Sequence, residues 1–168
     1  MKTFLQTFPV DCPDHLGRTP LMYASIGNRV KAVEMLLRQG ASAPVKDGNG
    51  RTALLWAAYY GHFEVVRVLI KHDRSLVQLA DPDGRTAIHW STKHESTRCL
   101  DLLLRAADAE VINAQDGEQV TALHWAVLCQ HQEHVQHLLK VRALHEIKNM
   151  SGVGSDACSG IGVQQCCV

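Results

Sequence analysis

Apolar residues in this chain fall in short clusters at three- and four-residue intervals, separated by polar stretches rich in Asp and Gly. Leu21 and Ala24, like Leu54 and Ala57, are spaced i, i+3 and mark one face of a short helix. A second apolar cluster follows each of these: Met35-Leu36-Leu37, then Val65, Val66, Leu69 and Ile70, then Leu100, Leu103 and Leu104. The pattern predicts pairs of short helices joined by turns. The polar segments that open each pair also align with one another: DHLGRTPLMYAS from Asp14, DGNGRTALLWAA from Asp47, DPDGRTAIHWST from Asp81 and DGEQVTALHWAV from Asp116. Their threonines, Thr19, Thr52, Thr86 and Thr121, step by 33, 34 and 35 residues. Such a period belongs to a solenoid, whose repeats bury their faces only against their neighbours.

Each conserved place in the repeat has a physical task. Gly17, Gly50 and Gly84, two residues before the threonine, supply a left-handed turn residue, and the Asp that opens each segment can bond its own backbone. The threonine opens the helix, where its hydroxyl accepts from an otherwise unpaired amide, and Pro20 sits where a missing N–H costs nothing. Ala24, Ala57, Ser91 and Ala126 permit close helix approach, and Gly40 is placed to stop the second helix of the first repeat.

These segments resemble ankyrin repeats, and the resemblance runs from about Asp14 to Lys148. It implies an all-α solenoid of about four helix-turn-helix repeats joined by β-hairpin-like turns, over 14–46, 47–80, 81–115 and 116–148. Residues 1–13 form an N-terminal extension, and 149–168, rich in Gly, Ser and Cys, are expected to be a disordered tail. Within the family, GRTPLMY, the LHW-type core and the long junction LLLRAADAEVINAQD are similar to inversin-type arrays, which implies an intracellular, cilium-associated scaffold. The chain also departs from the family pattern. Met22 and Leu55 replace a histidine that His89 and His124 keep and that, in the family, bridges neighbouring loops. Gln119 and Val120 replace the turn Gly and Arg of the fourth repeat, where a distorted turn is expected. Asp73, Ala107 and Arg142 stand where the family ends its second helix with Gly. Periodicity stops after Ile147, so a truncated piece of a longer array, with regulatory or no independent activity, is an alternative reading.

Composition narrows the function. Of 168 residues, 17 are Lys or Arg and 17 Asp or Glu, a formal net charge of zero that argues against a nucleic-acid partner. No apolar run approaches the roughly 20 residues of a membrane span, and the first twelve residues are too short and broken for a signal peptide, so a cytoplasmic protein is expected. The six cysteines form no CxxC pair and read as free thiols. Gln165 stands where a prenylation motif needs Cys. No G-x-S-x-G, P-loop, H-E-x-x-H or dinucleotide-binding glycine set occurs, so neither an enzyme nor a cofactor is expected.

His131, His134 and His137, with Cys129 nearby, raise zinc binding as a further alternative. Three residues three apart drift around a helix, however, and meet one ion poorly, so no metal site is assigned. Trp56, Trp90 and Trp125, with Tyr23 in the equivalent place, share one register and are expected to pack between repeats. Asn113 lies at the loop place where the family is subject to asparaginyl hydroxylation.

The resemblance puts partner binding on hairpin tips and the concave face of the first helices. By register these places include Arg18, Arg51, Tyr59, Tyr60, Arg85, Lys93 and His94. The three arginines precede the threonine in successive repeats, and layers stacked ~10 Å apart would align them in a basic row beside the two tyrosines. The expected partner is another protein carrying acidic and apolar residues, bound by a monomer.

Overall fold

The computed structural model describes residues 9–152, with side chains through Arg142. The helices are α1 (Pro20–Ile26), α2 (Val30–Arg38), α3 (Ala53–Tyr59), α4 (Phe63–His72), α5 (Ala87–Ser91), α6 (Arg98–Ala106), α7 (Ala109–Ile112), α8 (Ala122–Leu128) and α9 (Gln132–Gly152). They stack as the expected solenoid. The inner row runs α1 on α3, α3 on α5 and α5 on α8, and the outer row runs α2 on α4, α4 on α6 and α6 on α9.

The inner helices are short because each is closed at both ends by its own sequence. Thr19 and Thr52 have extended backbones, and their hydroxyls accept the amides of Met22 and Leu55 at 3.4 Å. At the other end Asn28, Gly61 and Gln130 take left-handed φ of 53°, 69° and 59°, which reverses the chain into the outer helix. The core is the seam between layers. Leu54, Ala57, Ala58, Val65, Val66, Leu69, Ile88, Leu100 and Leu103 have no exposed surface. Small residues at α3 and α5 let the inner row close tightly, while branched residues on α4 and α6 fill the wider outer gap.

Between layers the chain makes hairpins rather than strands. The amides of Asp14, Asp47, Asp81 and Asp116 each donate to the carbonyl four residues on, at 2.9–3.0 Å, and isolated antiparallel bridges pair Ala80 with Thr86 and Gln115 with Thr121. Neighbouring hairpins are tied by Gly48 N–H to the Leu16 carbonyl (2.8 Å) and Gly117 N–H to the Asp83 carbonyl (2.7 Å).

Three departures noted in the sequence acquire definite shapes. The fourth hairpin is not distorted: Gln119 adopts the glycine conformation (φ 61°) and keeps the turn bond, its amide donating to the Asp116 carbonyl at 2.8 Å. Without a left-handed Gly, the second helices end differently. Asp73 and Ala107 turn extended, and a short 3₁₀ helix (Arg74–Gln78) or α7 then buries Leu76 and Val77 or Ile112. This extra turn accounts for the 34- and 35-residue steps. At Arg142 nothing stops the helix, and α9 continues to Gly152, so residues 149–152 are helical where a structureless tail was expected. The rest of that expected tail, 153–168, lies outside the described residues.

Gln119→Gly relieves a left-handed side-chain residue and is expected to raise stability by roughly 0.5–1 kcal/mol, less the extra chain entropy of Gly. Gly50→Ala places a Cβ 2.4 Å from Pro82 Cδ at φ 71° and should cost about 2 kcal/mol. Urea unfolding of the two variants measures both signs.

Candidate functional site

One carboxylate organises each hairpin. Asp47 Oδ1 accepts the amides of Asn49 (2.9 Å) and Arg51 (2.8 Å), while Oδ2 accepts the indole N–H of Trp56 (2.9 Å). Asp81 repeats this with Asp83, Arg85 and Trp90 (3.1, 2.9 and 3.1 Å), and Asp116 with Glu118, Val120 and Trp125 (3.0, 2.9 and 3.2 Å). Asp14 binds Leu16 and Arg18 amides and the Tyr23 hydroxyl (2.6 Å), so Tyr23 is the phenolic counterpart of the tryptophans. The Tyr23 hydroxyl bond above all holds Asp14 below the ordinary carboxylate range. Burial alone would raise Asp116, but the amides of Val120 and Glu118 and the Trp125 indole outweigh it and lower its pKa.

The indoles so fixed form a ladder with the arginines between them. Arg18 lies 5.0 Å from the Trp56 ring centre, and Arg51 lies between Trp56 (4.9 Å) and Trp90 (4.7 Å). Arg85 lies between Trp90 (5.9 Å) and Trp125 (5.2 Å), and Lys93 caps Trp125 at 4.6 Å. The sequence expectation of a basic row is therefore met by placement, but the guanidinium groups are intercalated rather than freely solvated. Arg18 and Arg85 also approach the carboxylate of the next hairpin, Asp47 at 3.9 Å and Asp116 at 3.8 Å, and Arg85 pairs with Asp83 at 2.9 Å. Arg51 makes no ion pair among the described residues and is the least neutralised of the three.

The tyrosines extend this ladder outward. Tyr59 and Tyr60 are 39% and 41% exposed, yet both are held: Tyr60 stacks on Trp56 and His62, and Tyr59 meets Trp90 edge-on at 5.3 Å. Lys93, over the Trp125 ring, is exposed. His94 is more structural than expected. Its ring packs where a Cβ on Gly61 would stand, 2.5 Å from that position, and its Nδ1 accepts the Ser96 amide.

The family histidines bridge layers. His89 Nδ1 accepts the Thr86 amide (3.2 Å), which places the proton on Nε2, and Nε2–H donates to the Val120 carbonyl of the next hairpin (3.2 Å). His62 and His131 reach the other way, donating to the carbonyls of Ile26 and Thr92 at 2.9 Å. His137 is engaged by Asp101. His131 and His134 pack with ring centres 5.1 Å apart, and among the described residues no group of three or more His, Cys, Asp or Glu is placed to hold a metal.

Register comparison exposes one residue that the sequence reading did not single out for its burial. His134 occupies the place of Ala32, Val65 and Cys99 in the outer helices. It has no exposed surface, and neither ring nitrogen has a hydrogen-bond partner. Burial first, and then the nearby His131 and His137, push its pKa down. Cys99, at the same register, is a buried thiol raised to about 11 by burial. Asn113 is exposed at the end of α7, its amide N–H bonded to the Ala109 carbonyl at 3.0 Å.

This geometry can be set beside known proteins. A family model described as ankyrin repeats in three copies matches residues 1–78 and 74–149. The chain belongs to the ankyrin-repeat family. It is 37% identical to inversin of Mus musculus and 36% identical to inversin of Homo sapiens, each over 130 residues, 77% of this chain. It is 34% identical over 137 residues to the nuclear factor NF-kappa-B p105 subunit of Gallus gallus. The chain spans only 12% of the length of either inversin and 14% of the p105 subunit. Ankyrin arrays of this kind support interaction with other proteins, and among the described residues no helix is long and apolar enough to cross a membrane.

Two outcomes follow from this geometry. Asp81→Ala removes the acceptor of three bonds at a site 7% exposed and should cost about 3 kcal/mol in urea unfolding, with loss of Trp90 anchoring visible in fluorescence. Stability should also fall on acidification. His134 and His89 both have lowered pKa values in the folded state, so the unfolded chain takes up protons first. Their contribution is intact above the unfolded histidine value of about 6.5 and is lost as pH falls below it. His134→Val, which restores the residue type of Val65, should flatten the pH dependence of the urea midpoint between pH 7 and 5.

Proposed function

We propose that this chain is a non-catalytic protein-interaction module that binds an extended segment of a partner protein along the hairpin and concave side of its inner helices. The segment combines acidic and apolar residues. Tyr59 and Tyr60 are its apolar anchors, Arg51 and Lys93 its principal charged contacts, and Arg18, Arg85 and His94 flank them. The observation that carries this reading is the exposure of two tyrosines held rigidly by neighbouring rings, next to the one ladder arginine without an ion pair. A held aromatic loses little conformational freedom on binding, and Tyr and Arg most often dominate interface energy. An arginine plane already fixed between indoles presents its N–H groups to a carboxylate without an ordering cost.

The likeness to inversin supports a cytoplasmic, cilium-associated setting for such a scaffold. The alternative of an incompletely capped piece of a longer array, with regulatory or no independent activity, draws on the apolar surface left by α8. Val127 is 59% exposed and Leu128 76%.

Peptide-display selection against residues 1–168 tests the proposal. Enriched peptides are expected to pair Asp or Glu with apolar residues. Tyr60→Ala or Arg51→Ala should weaken them about tenfold or more, or at least ~1.4 kcal/mol, with unchanged circular dichroism. Enriched peptides that lack acidic residues, or that bind both variants as well as the parent, would contradict it.

A further inference from the structure

The outward face of the fourth repeat is the continuation of the interface that joins every other pair of layers. Three residues after the threonine, Met22, Leu55 and His89 are each 1% exposed, and six residues after it Ser25, Ala58 and Thr92 have no exposed surface. The next layer covers them. In the fourth repeat the same places are His124 and Val127, followed by Leu128, and all three are exposed. Two adjoining clefts open on this face and share Val127. One, of about 420 Å³, is lined by Val120, Leu123 and His124 among others, and the other, of about 500 Å³, by Ala126, Gln130 and Val135 among others.

A fifth layer of the same kind would meet Gln119 and Val120 on this face in place of the Gly and Arg of the earlier repeats. A Cβ on Gly17 would lie 2.8 Å from the Gly48 amide nitrogen, one on Gly50 2.4 Å from Pro82 Cδ, and one on Gly84 3.3 Å from Asp116 Cα. In the first two layers the following hairpin rests where that Cβ would be, and in the third it lies in close contact with that place. The fourth repeat carries Gln119 there, in the same left-handed conformation, so its side chain occupies the seat of a following hairpin. Val120 likewise ends the series Arg18, Arg51 and Arg85, so no guanidinium is offered to another indole. The hairpin side presents Gln119 and Val120, and the helical side remains open and apolar.

We infer that this face pairs with the same face of a second copy of the chain, in a two-fold dimer built on α8 and the first turns of α9. Among the described residues the clefts are lined by no Asp, Glu, Lys or Arg, and the chain has zero formal net charge, so two copies meet without like-charge repulsion. Gln119, Gln130, Gln132 and Gln136 rim the apolar centre, and an amide, both donor and acceptor, can pair with its own symmetry mate. At the opposite end Val10 packs on the core and Asp11 accepts the Ser42 amide at 3.1 Å, while Leu16 and Tyr23 of the first repeat are 43% and 48% exposed.

Sedimentation velocity of residues 1–168 under reducing conditions tests this. The weight-average mass is expected to double with rising concentration and then stop. Leu128→Asp and Val127→Asp should each remain monomeric with unchanged circular dichroism, and Tyr60→Ala, on the other surface, should dimerise like the parent. Hydrogen exchange should slow with concentration in 119–139 alone. A parent that stays monomeric, a dimer that survives both Asp variants, growth beyond the dimer, or protection centred on Tyr59 and Tyr60 would each overturn the inference.

Discussion

The hairpin carboxylate is the interaction on which the other features of this array depend. Asp47, Asp81 and Asp116 each spend one oxygen on two amides of their own turn and the other on the indole N–H nine residues later. The first oxygen fixes the turn, and the second fixes the rotation of the inner helix relative to that turn. Once the indole is fixed, the guanidinium of a neighbouring layer has a flat surface to stack on, and the same carboxylate lies within reach of its charge. A burial cost that would raise a lone carboxylate pKa is outweighed at Asp116 by its donors, which keeps the anion in place at neutral pH. Order thus passes from an acidic side chain to an aromatic one, and then to a basic one in the adjacent layer.

Because each layer touches only its neighbours, stability accumulates along the array and the ends are its weak points. The fourth repeat combines several departures: Gln119 for Gly, Val120 for Arg, and the buried, unpartnered His134 for an apolar residue. The first adds local backbone strain, the second removes a stacking partner, and the third places an imidazole without hydrogen bonds in the outer seam. All three act on one layer, so unfolding should begin there and the preceding layers should outlast it.

Much of the fold was legible because solenoid sequence and structure share a period. The threonine, glycine, aspartate and tryptophan places each translate directly into a cap, a turn, an amide acceptor and an interlayer ring. What the sequence left obscure follows from interactions between layers. The fourth turn keeps its shape because Asp116 accepts from Glu118 and Val120 whether or not the left-handed residue is Gly. Helix α9 passes position 148 because helix termination needs a positive stop, and Arg142 offers none. The arginine row was legible as a row, but its intercalation depends on indoles of the following repeat. His134 looked like a possible ligand because it was compared with its neighbours on the same helix. Compared instead with Cys99 and Val65, one and two layers away, it reads as a core position.

The two surfaces of the array differ in kind, and that difference bears on how one scaffold could hold two partners. The indole–arginine ladder combines aromatic rings with cations, and its charges are already balanced within the chain at Arg18 and Arg85. An acidic ligand there competes with internal carboxylates, which favours reversible contact governed by Arg51 and Lys93 and sensitive to salt. The open face of the fourth repeat has no charge among its cleft residues and offers mainly area to exclude water. Contact there would respond weakly to salt and strongly to concentration. Since one surface lies along the solenoid and the other across its end, occupation of the second leaves Tyr59 and Tyr60 accessible. A pair of chains joined at α8 would then display two copies of the ladder, and a partner with two acidic segments would bind with an effective concentration set by its linker rather than by bulk solution.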